Sequence, residues 1–154
     1  MDYLFDIDGT LADNEHRVPL LRGAEQDWTA FFAPRAVMAD APIPHMIELA
    51  RGLASAGHRV LFSTGRPRYL IMITHLWLKQ NLFDVPDNRI WDRKLDDKRR
   101  SSVVKRENLR QMRRDGFRPV MVFEDSAEDA RMYREEGLAT SLVAPRGAQQ
   151  EQLF

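Results

Sequence analysis

Asp6 and Asp8 stand two residues apart at the end of the short apolar run Tyr3-Leu4-Phe5, with Ile7 between them and Gly9 directly after. Alternate positions of an extended chain lean to one side, so the two carboxylates reach the same region, and Gly9 permits a sharp turn beyond them. Two carboxylates held together repel. A hard cation such as Mg²⁺ relieves the repulsion, because it takes oxygen ligands and keeps several waters. Metal-dependent chemistry at phosphate is the natural use of such a pair, although Asp-Gly read alone is an ordinary turn. A calcium loop fits poorly, because Gly9 follows Asp6 by three residues rather than five and position 10 is Thr.

Two more stretches carry chemistry at the end of an apolar run. In Val60-Leu61-Phe62-Ser63-Thr64-Gly65-Arg66 a hydroxyl can donate to a phosphate oxygen, Gly65 allows close backbone approach, and Arg66 offers a forked donor. In Val120-Met121-Val122-Phe123-Glu124-Asp125 a second acidic pair ends the run, with Asp129 one helical turn further on. Asp125 is placed to complete a metal's shell, and Glu124 or Asp129 to ligate it or hold its waters. Each stretch alone has a plain structural use, as turn chemistry or as acids complementing a helix dipole. Acid, hydroxyl and acid at three strand ends together point to one site.

The elements that must bring them together are legible. Strands are predicted at residues 3–7, Val60–Ser63, Ile90-Trp91, Pro119–Phe123 and Thr140–Val143. Helices are predicted from Pro42 and Pro44 to Gly57, over Leu70–Trp77, from a Ser101 or Ser102 cap through Asp115, and from Ala127 to Glu136. Alternating strands and helices imply an α/β fold, a doubly wound, mainly parallel sheet of about five strands with helices on both faces. Ligands gather at the carboxyl edge of such a sheet, where the three stretches lie. Residues 1–145 read as one domain with a small helix-containing insert at about 13–41, and 146–154 as a C-terminal tail.

Composition bounds the alternatives. The 154 residues contain no Cys, which excludes a disulfide framework, thiolate metal sites and a thiol nucleophile. The N-terminus resembles neither a signal nor a transit peptide, and apolar stretches of four or five residues are far short of a membrane span, so no membrane partner is expected. The histidines show no metal spacing, and no Gly-x-x-x-x-Gly-Lys-Ser/Thr motif is present, so no 5′-kinase activity is expected. Lys+Arg and Asp+Glu balance at 23 each, yet residues 89–118 carry twelve Lys/Arg against five acids, a local charge of +7. Such a stretch either tracks a nucleic-acid backbone or is a solvated helix face. Trp28, Phe31 and Phe32, the insert's large apolar cluster, either offer a stacking face to a base or pack the insert onto the sheet.

Asp6-Ile7-Asp8-Gly9-Thr10-Leu11, Ser63-Thr64-Gly65-Arg66, a downstream Lys and Glu124-Asp125 resemble the four ordered motifs of the haloacid dehalogenase (HAD) superfamily of phosphohydrolases. The resemblance runs from residue 6 to about 129. It implies a HAD-like fold with a minimal cap, Mg²⁺ as cofactor, Asp6 as nucleophile and metal ligand, Asp8 as general acid/base whose backbone carbonyl also ligates, and Asp125 as the third protein ligand. Thr64 fits the phosphate-binding hydroxyl better than Ser63. More narrowly, the chain is similar to the phosphatase module of bacteriophage-type polynucleotide kinase/3′-phosphatases. The shared features are Arg17 eleven residues after Asp6, Thr64-Gly65-Arg66, and Val103-Val104-Lys105 about 20 residues before the last acidic pair.

This similarity implies Lys105, rather than Lys94 or Lys98, as the phosphate-binding Lys, and Arg17 and Arg66 gripping phosphate through forked hydrogen bonds. Two departures stand out. Ser102 takes the place of an Asp in that module, leaving its role to Asp96 or Asp97, and the final pair is Glu124-Asp125 rather than Asp-Asp.

The implied function is a Mg²⁺-dependent phosphomonoesterase that removes 3′-phosphate from polynucleotide ends through an aspartyl phosphate. The implied partners are a nucleic-acid 3′-phosphate end or nucleotide as substrate and a separate kinase or ligase. The expected location is the cytoplasm, or the host's cytoplasm for a bacteriophage-encoded chain. A nucleotidase acting on free mononucleotides by the same chemistry is the nearest alternative. A receiver-like phospho-Asp signalling domain is another, but receivers phosphorylate an Asp on the third strand.

Overall fold

The side chains of the central strands alternate between two apolar cores. In a computed structural model describing residues 1–143, Leu4, Leu61, Trp91 and Val122 join one cluster. Their sequence neighbours Phe5, Phe62, Ile90 and Phe123 join the other. Both faces are therefore buried, which is why these strands read as continuous apolar runs.

The strands are β1 (Asp2–Phe5), β4 (Arg59–Pro67), β5 (Ile90–Arg93), β6 (Pro119–Glu124) and β7 (Ala139–Leu142), in the order β5-β4-β1-β6-β7. Every pairing is parallel. Helices α3 (Pro44–Ser55) and α4 (Ile71–Asn81) cover one face through Met46, Ile47, Ala50, Trp77 and Leu78. Helices α5 (Ser101–Arg114) and α6 (Ala127–Glu135) cover the other through Leu109, Met112, Met132 and Tyr133. The chain builds outward from β1 to β4 and β5, then returns through α5 to β6 on the opposite side. This reversal opens a crevice at the carboxyl ends of β1, β4 and β6.

The insert contains β2 (Ala12–Asp13), two short helices, α1 (Trp28–Phe31) and α2 (Pro34–Met38), and β3 (Ala41–Pro42). Its ends meet where β2 and β3 pair antiparallel, so it leaves and rejoins the domain at one point.

Several boundaries differ from the sequence reading. β4 runs on through Thr64, Gly65 and Arg66 instead of ending at Ser63, so these residues belong to a strand rather than a turn. Pro42 lies in β3 and Pro44 alone opens α3. Neither Ser101 nor Ser102 caps α5: the cap residue is Arg100 and makes no side-chain cap bond. Ser101 donates instead to Asp129 and Ser102 to Glu128. The tail at 146–154 lies outside the described residues.

Candidate active site

Asp6 follows β1 directly, and its backbone N–H bonds to the Phe123 carbonyl of β6 at 3.0 Å. That bond sets it beside the acids that end β6. Its carboxylate accepts from Lys105 Nζ on one oxygen at 2.8 Å and from Thr10 Oγ1 on the other at 3.2 Å. Lys105 Nζ also lies 2.7 Å from Glu124 and 3.0 Å from Asp129. One buried ammonium from α5 thus touches acids from β1, β6 and α6. Lys94 and Lys98 are exposed, with Lys94 paired to Glu107.

Asp6, Glu124 and Asp125 each place a carboxylate oxygen within 4.8 Å of the others. Burial, with Glu124 nearby, pushes the Asp6 carboxyl up to about 8, although Lys105 pulls the other way. Burial also lifts Glu124 to about 7, against Lys105, and Asp125 to about 7 with help from Asp6. Burial is the largest cause of all three shifts, and a buried group of carboxyls around one ammonium is costly to ionise without a further cation. An all-oxygen donor set short of positive charge fits a hard divalent cation such as Mg²⁺.

Gly9 is what lets Asp125 into this cluster. Its φ is +84°, and a Cβ there would lie 2.0 Å from Asp125 Oδ2. The turn behind it closes with Gly9 N–H to Ala12 O at 2.8 Å and Leu11 N–H to Ile7 O at 2.9 Å.

Asp8 has different neighbours. Arg66 Nε lies 3.1 Å from both of its oxygens and Arg66 Nη2 2.6 Å from Oδ1, while Arg17 Nη2 reaches Oδ1 at 2.9 Å. Burial opposes its ionisation, but Arg66 and then Arg17 outweigh it and hold the Asp8 carboxyl below its usual range. Beneath both arginines sits Asp40, buried, which accepts from Arg17 Nε at 2.8 Å, Arg17 Nη2 at 2.6 Å and Arg66 Nη2 at 3.3 Å. His16 Nε2 lies 2.8 Å from the same carboxylate, and Arg17 Nη1 donates to Phe31 O at 2.9 Å. The site therefore separates two charge environments around acids two residues apart.

Asp6, Asp8, Gly65, Lys105, Glu124 and Asp125 open onto a cleft of about 900 Å³. Trp28, Phe32 and Tyr69 line one part of it, and Arg93, Lys98 and Arg99 another.

The model of the polynucleotide kinase PNKP phosphatase domain matches residues 2–147. The chain belongs to that phosphatase-domain family. It is a HAD-type phosphatase, a hydrolase, which sets the receiver-like signalling reading aside.

Among solved structures, a chain of the Pnkp1/Rnl/Hen1 RNA repair complex superposes with a TM-score of 0.73 at 18% identity, over 94% of this chain and 42% of that one. The class C acid phosphatase of Bacillus anthracis with tungstate bound gives 0.69 at 14% identity, over 94% and 66%. The D,D-heptose 1.7-bisphosphate phosphatase of B. bronchiseptica, complexed with magnesium and phosphate, gives 0.57 at 17%, over 97% and 83%. At these identities the likeness is one of fold, and the PNKP-type chain spans less than half of the repair-complex chains it matches. No curated protein matches it.

Within this PNKP-type phosphatase domain the sequence-predicted residues occupy several distinct places. Asp6, Glu124, Asp125, Asp129 and Lys105 form one cluster, as described. Arg17 and Arg66 do not line the cleft. They are wholly buried, with their forks on Asp8 and Asp40. Thr64 is also buried, its Oγ1 accepting from the Arg66 N–H at 3.1 Å, while Ser63 accepts from Asn108. Gly65 does line the cleft, and its carbonyl accepts from Arg93 Nε at 3.1 Å.

Neither Asp96 nor Asp97 reaches Lys105. Asp97 pairs with Arg99, and the acid beside Lys105 and Ser101 is Asp129. The sequence reading missed Asp40, Thr10 and Arg93. Asp40 falls in the insert, 32 residues from Asp8, with no local signal; Thr10 was visible in the first motif but given no task.

Proposed function

We propose that this domain is a Mg²⁺-dependent phosphomonoesterase that removes 3′-phosphate from polynucleotide ends through an aspartyl phosphate on Asp6. The carrying observation is the buried Asp6 carboxylate, set between Lys105 and Thr10 at the mouth of the cleft with Asp8 two residues on. Bound among Asp6, Glu124, Asp125 and the Asp8 backbone carbonyl, Mg²⁺ would neutralise the phosphate's charge and withdraw electron density from phosphorus.

Asp6 attacks phosphorus as the carboxylate, which needs no general base, once the repulsion between its charge and the phosphate's is offset. Lys105 steadies the attacking group and binds phosphate at the same end. Asp8 carries the proton: it gives one to the departing 3′-oxygen and later takes one from the water that cleaves the acyl phosphate. Arg66 and Arg17 stabilise the charged Asp8 left after that donation, the state that takes the water's proton and so restores the acid for the next turnover. They act through Asp8, with Asp40 fixing both forks, and Thr64 acts through the Arg66 backbone.

The polynucleotide end is favoured over a small phosphate by the family and by the cleft, which is wider than a phosphate requires and lined by aromatic and basic residues. The likeness to a chain of the Pnkp1/Rnl/Hen1 complex supports a separate ligase as a functional partner. Phosphate release is to be measured with Mg²⁺ on an oligonucleotide 3′-phosphate, the 5′-phosphate, mononucleotides and an aryl phosphate. Release from the 3′-phosphate that Asp6→Asn abolishes is expected. No release from that end, or full activity in Asp6→Asn, overturns the reading, and faster turnover of mononucleotides moves the substrate to free nucleotides.

A further inference from the structure

The cleft has an apolar wall that phosphate chemistry does not use. Trp28 is 50% exposed and Tyr69 55% exposed, and both face the cleft that holds Asp6. Large aromatic rings left this open beside a site of ionised groups forgo burial that a nearby core could supply. Phe31 shows the contrast. It is buried, the Arg17 guanidinium lies over its ring at 4.5 Å, and it anchors the insert to the Asp8 network.

Trp28 packs edge-on against Phe31, with centroids 5.7 Å apart, but keeps half of its surface open, and it is held in place. Asp27 caps its short helix by accepting from the Ala30 N–H at 2.8 Å, the indole N–H donates to Gln26 at 3.2 Å, and the ring stacks on Phe32 with centroids 5.9 Å apart at 23°. Tyr69, from the segment after β4, donates to the Phe32 carbonyl at 3.3 Å and so ties this wall to the sheet. The result is a supported aromatic platform across the same cleft as the nucleophile.

We propose that Trp28, backed by Phe32 and flanked by Tyr69, is the subsite on which the terminal nucleobase of the substrate stacks, so that the base and the scissile phosphate are held at two ends of one cleft. The inference rests on the polynucleotide-end reading above and adds the part of the nucleotide that is recognised. Stacking on a π-face is tolerant of base identity, so the subsite selects nucleotides over other phosphate esters and discriminates weakly among the four bases.

The test compares two 3′-phosphorylated oligonucleotides, one ending in an ordinary nucleotide and one whose last sugar lacks a base. On the wild-type chain with Mg²⁺ the abasic end is expected to raise KM about 5- to 150-fold, the worth of one stacked base. In Trp28→Ala that difference should collapse, and in Trp28→Phe it should largely return, which a merely structural role would not produce. Equal KM for the two ends on the wild type, or a preference that survives in Trp28→Ala, overturns the proposal.

Fluorescence separates this from failure of the reaction itself. Of the three tryptophans, Trp77 and Trp91 are buried and Trp28 is half exposed, so the base-bearing oligonucleotide should quench emission in the wild type and not in Trp28→Phe. Quenching without phosphate release keeps the subsite and overturns the reaction. Absence of Trp28-dependent quenching overturns the subsite.

Discussion

Two carboxylates of the same chemical type, Asp6 and Asp8, are driven apart by their neighbours. Asp6 rises to about 8 because it is buried, with Glu124 beside it, whereas Asp8, buried as well, is clamped by two guanidiniums and falls below its usual range. The signs carry a pH prediction for metal-free protein. Asp6, Glu124 and Asp125 bind protons more tightly when folded, so their stabilising contribution is full below the ordinary carboxylate range and is lost as pH rises through about 7 to 8. The thermal midpoint in chelator should therefore fall between about pH 5 and about pH 8, and Mg²⁺ should raise it more at the higher pH, where the ligands are ionised. A chelated midpoint that climbs over this range contradicts the charge assignment. Asp40 bears on stability as well as on chemistry, because Asp40→Ala leaves Arg17 and Arg66 buried with one carboxylate between them. A loss of about 3–5 kcal/mol in urea unfolding is expected, as for other broken buried ion pairs.

At the scale of elements, the site depends on how closely the turn after β1 approaches the end of β6. Gly9→Ala combines a strained positive φ with a Cβ driven into Asp125. It should lower Mg²⁺ affinity and phosphate release together while leaving the far end of the sheet intact, which calorimetric Mg²⁺ titration beside circular dichroism would show. Ser126 plays a gentler part. It caps α6 by accepting from the Asp129 N–H at 3.3 Å, and Asp129 in turn touches Lys105. Ser126→Ala should cost about 1 kcal/mol in chemical denaturation, the usual worth of an N-cap. Most element types and the strand-terminal acids were legible in the sequence, since apolar runs, Pro44 and Gly57 are local signals. The continuation of β4 through Gly65 was not, because Thr64-Gly65-Arg66 has the composition of a turn, and only the resumption of pairing with β5 at Pro67 opposite Arg93, beyond a break in register after Ser63, extends the strand.

For the molecule as a whole, much of the +7 charge of residues 89–118 meets acids from elsewhere in the chain. Lys105 is buried among Asp6, Glu124 and Asp129, Arg106 and Arg113 pair with Glu136, and Arg100 approaches Glu128. The acidic partners from 128 and 136 belong to α6 and its end, remote from this stretch in sequence. Arg93, Lys98 and Arg99 line the cleft, with Arg93 already bonded to the Gly65 carbonyl and Arg99 to Asp97 and Glu107, so an oligonucleotide should neutralise no more than about three phosphates there. The salt dependence of KM for a single strand should then be shallow, with a log–log slope of magnitude no greater than about 2, read from initial rates across a salt series. A markedly steeper slope would mean that the α5 face also carries the backbone. Among the described residues no helix is long and apolar enough to cross a membrane.

The sequence by itself determined the alternation of strands and helices, the carboxyl edge as the place of chemistry, and the strand-terminal acids Asp6, Asp8, Glu124 and Asp125 as a set. Those are written in local periodicity and in motif spacing, which survive without coordinates. Only the tertiary structure showed Arg17, Arg66 and Thr64 buried and paired, brought Asp40 beneath the two arginines, placed α6's acids against α5's arginines, and left Trp28 half exposed while burying Phe31. These outcomes depend on burial and on pairs formed across long sequence separations, and the energy of a charge or an aromatic ring is set by what surrounds it in space rather than by its neighbours in the chain.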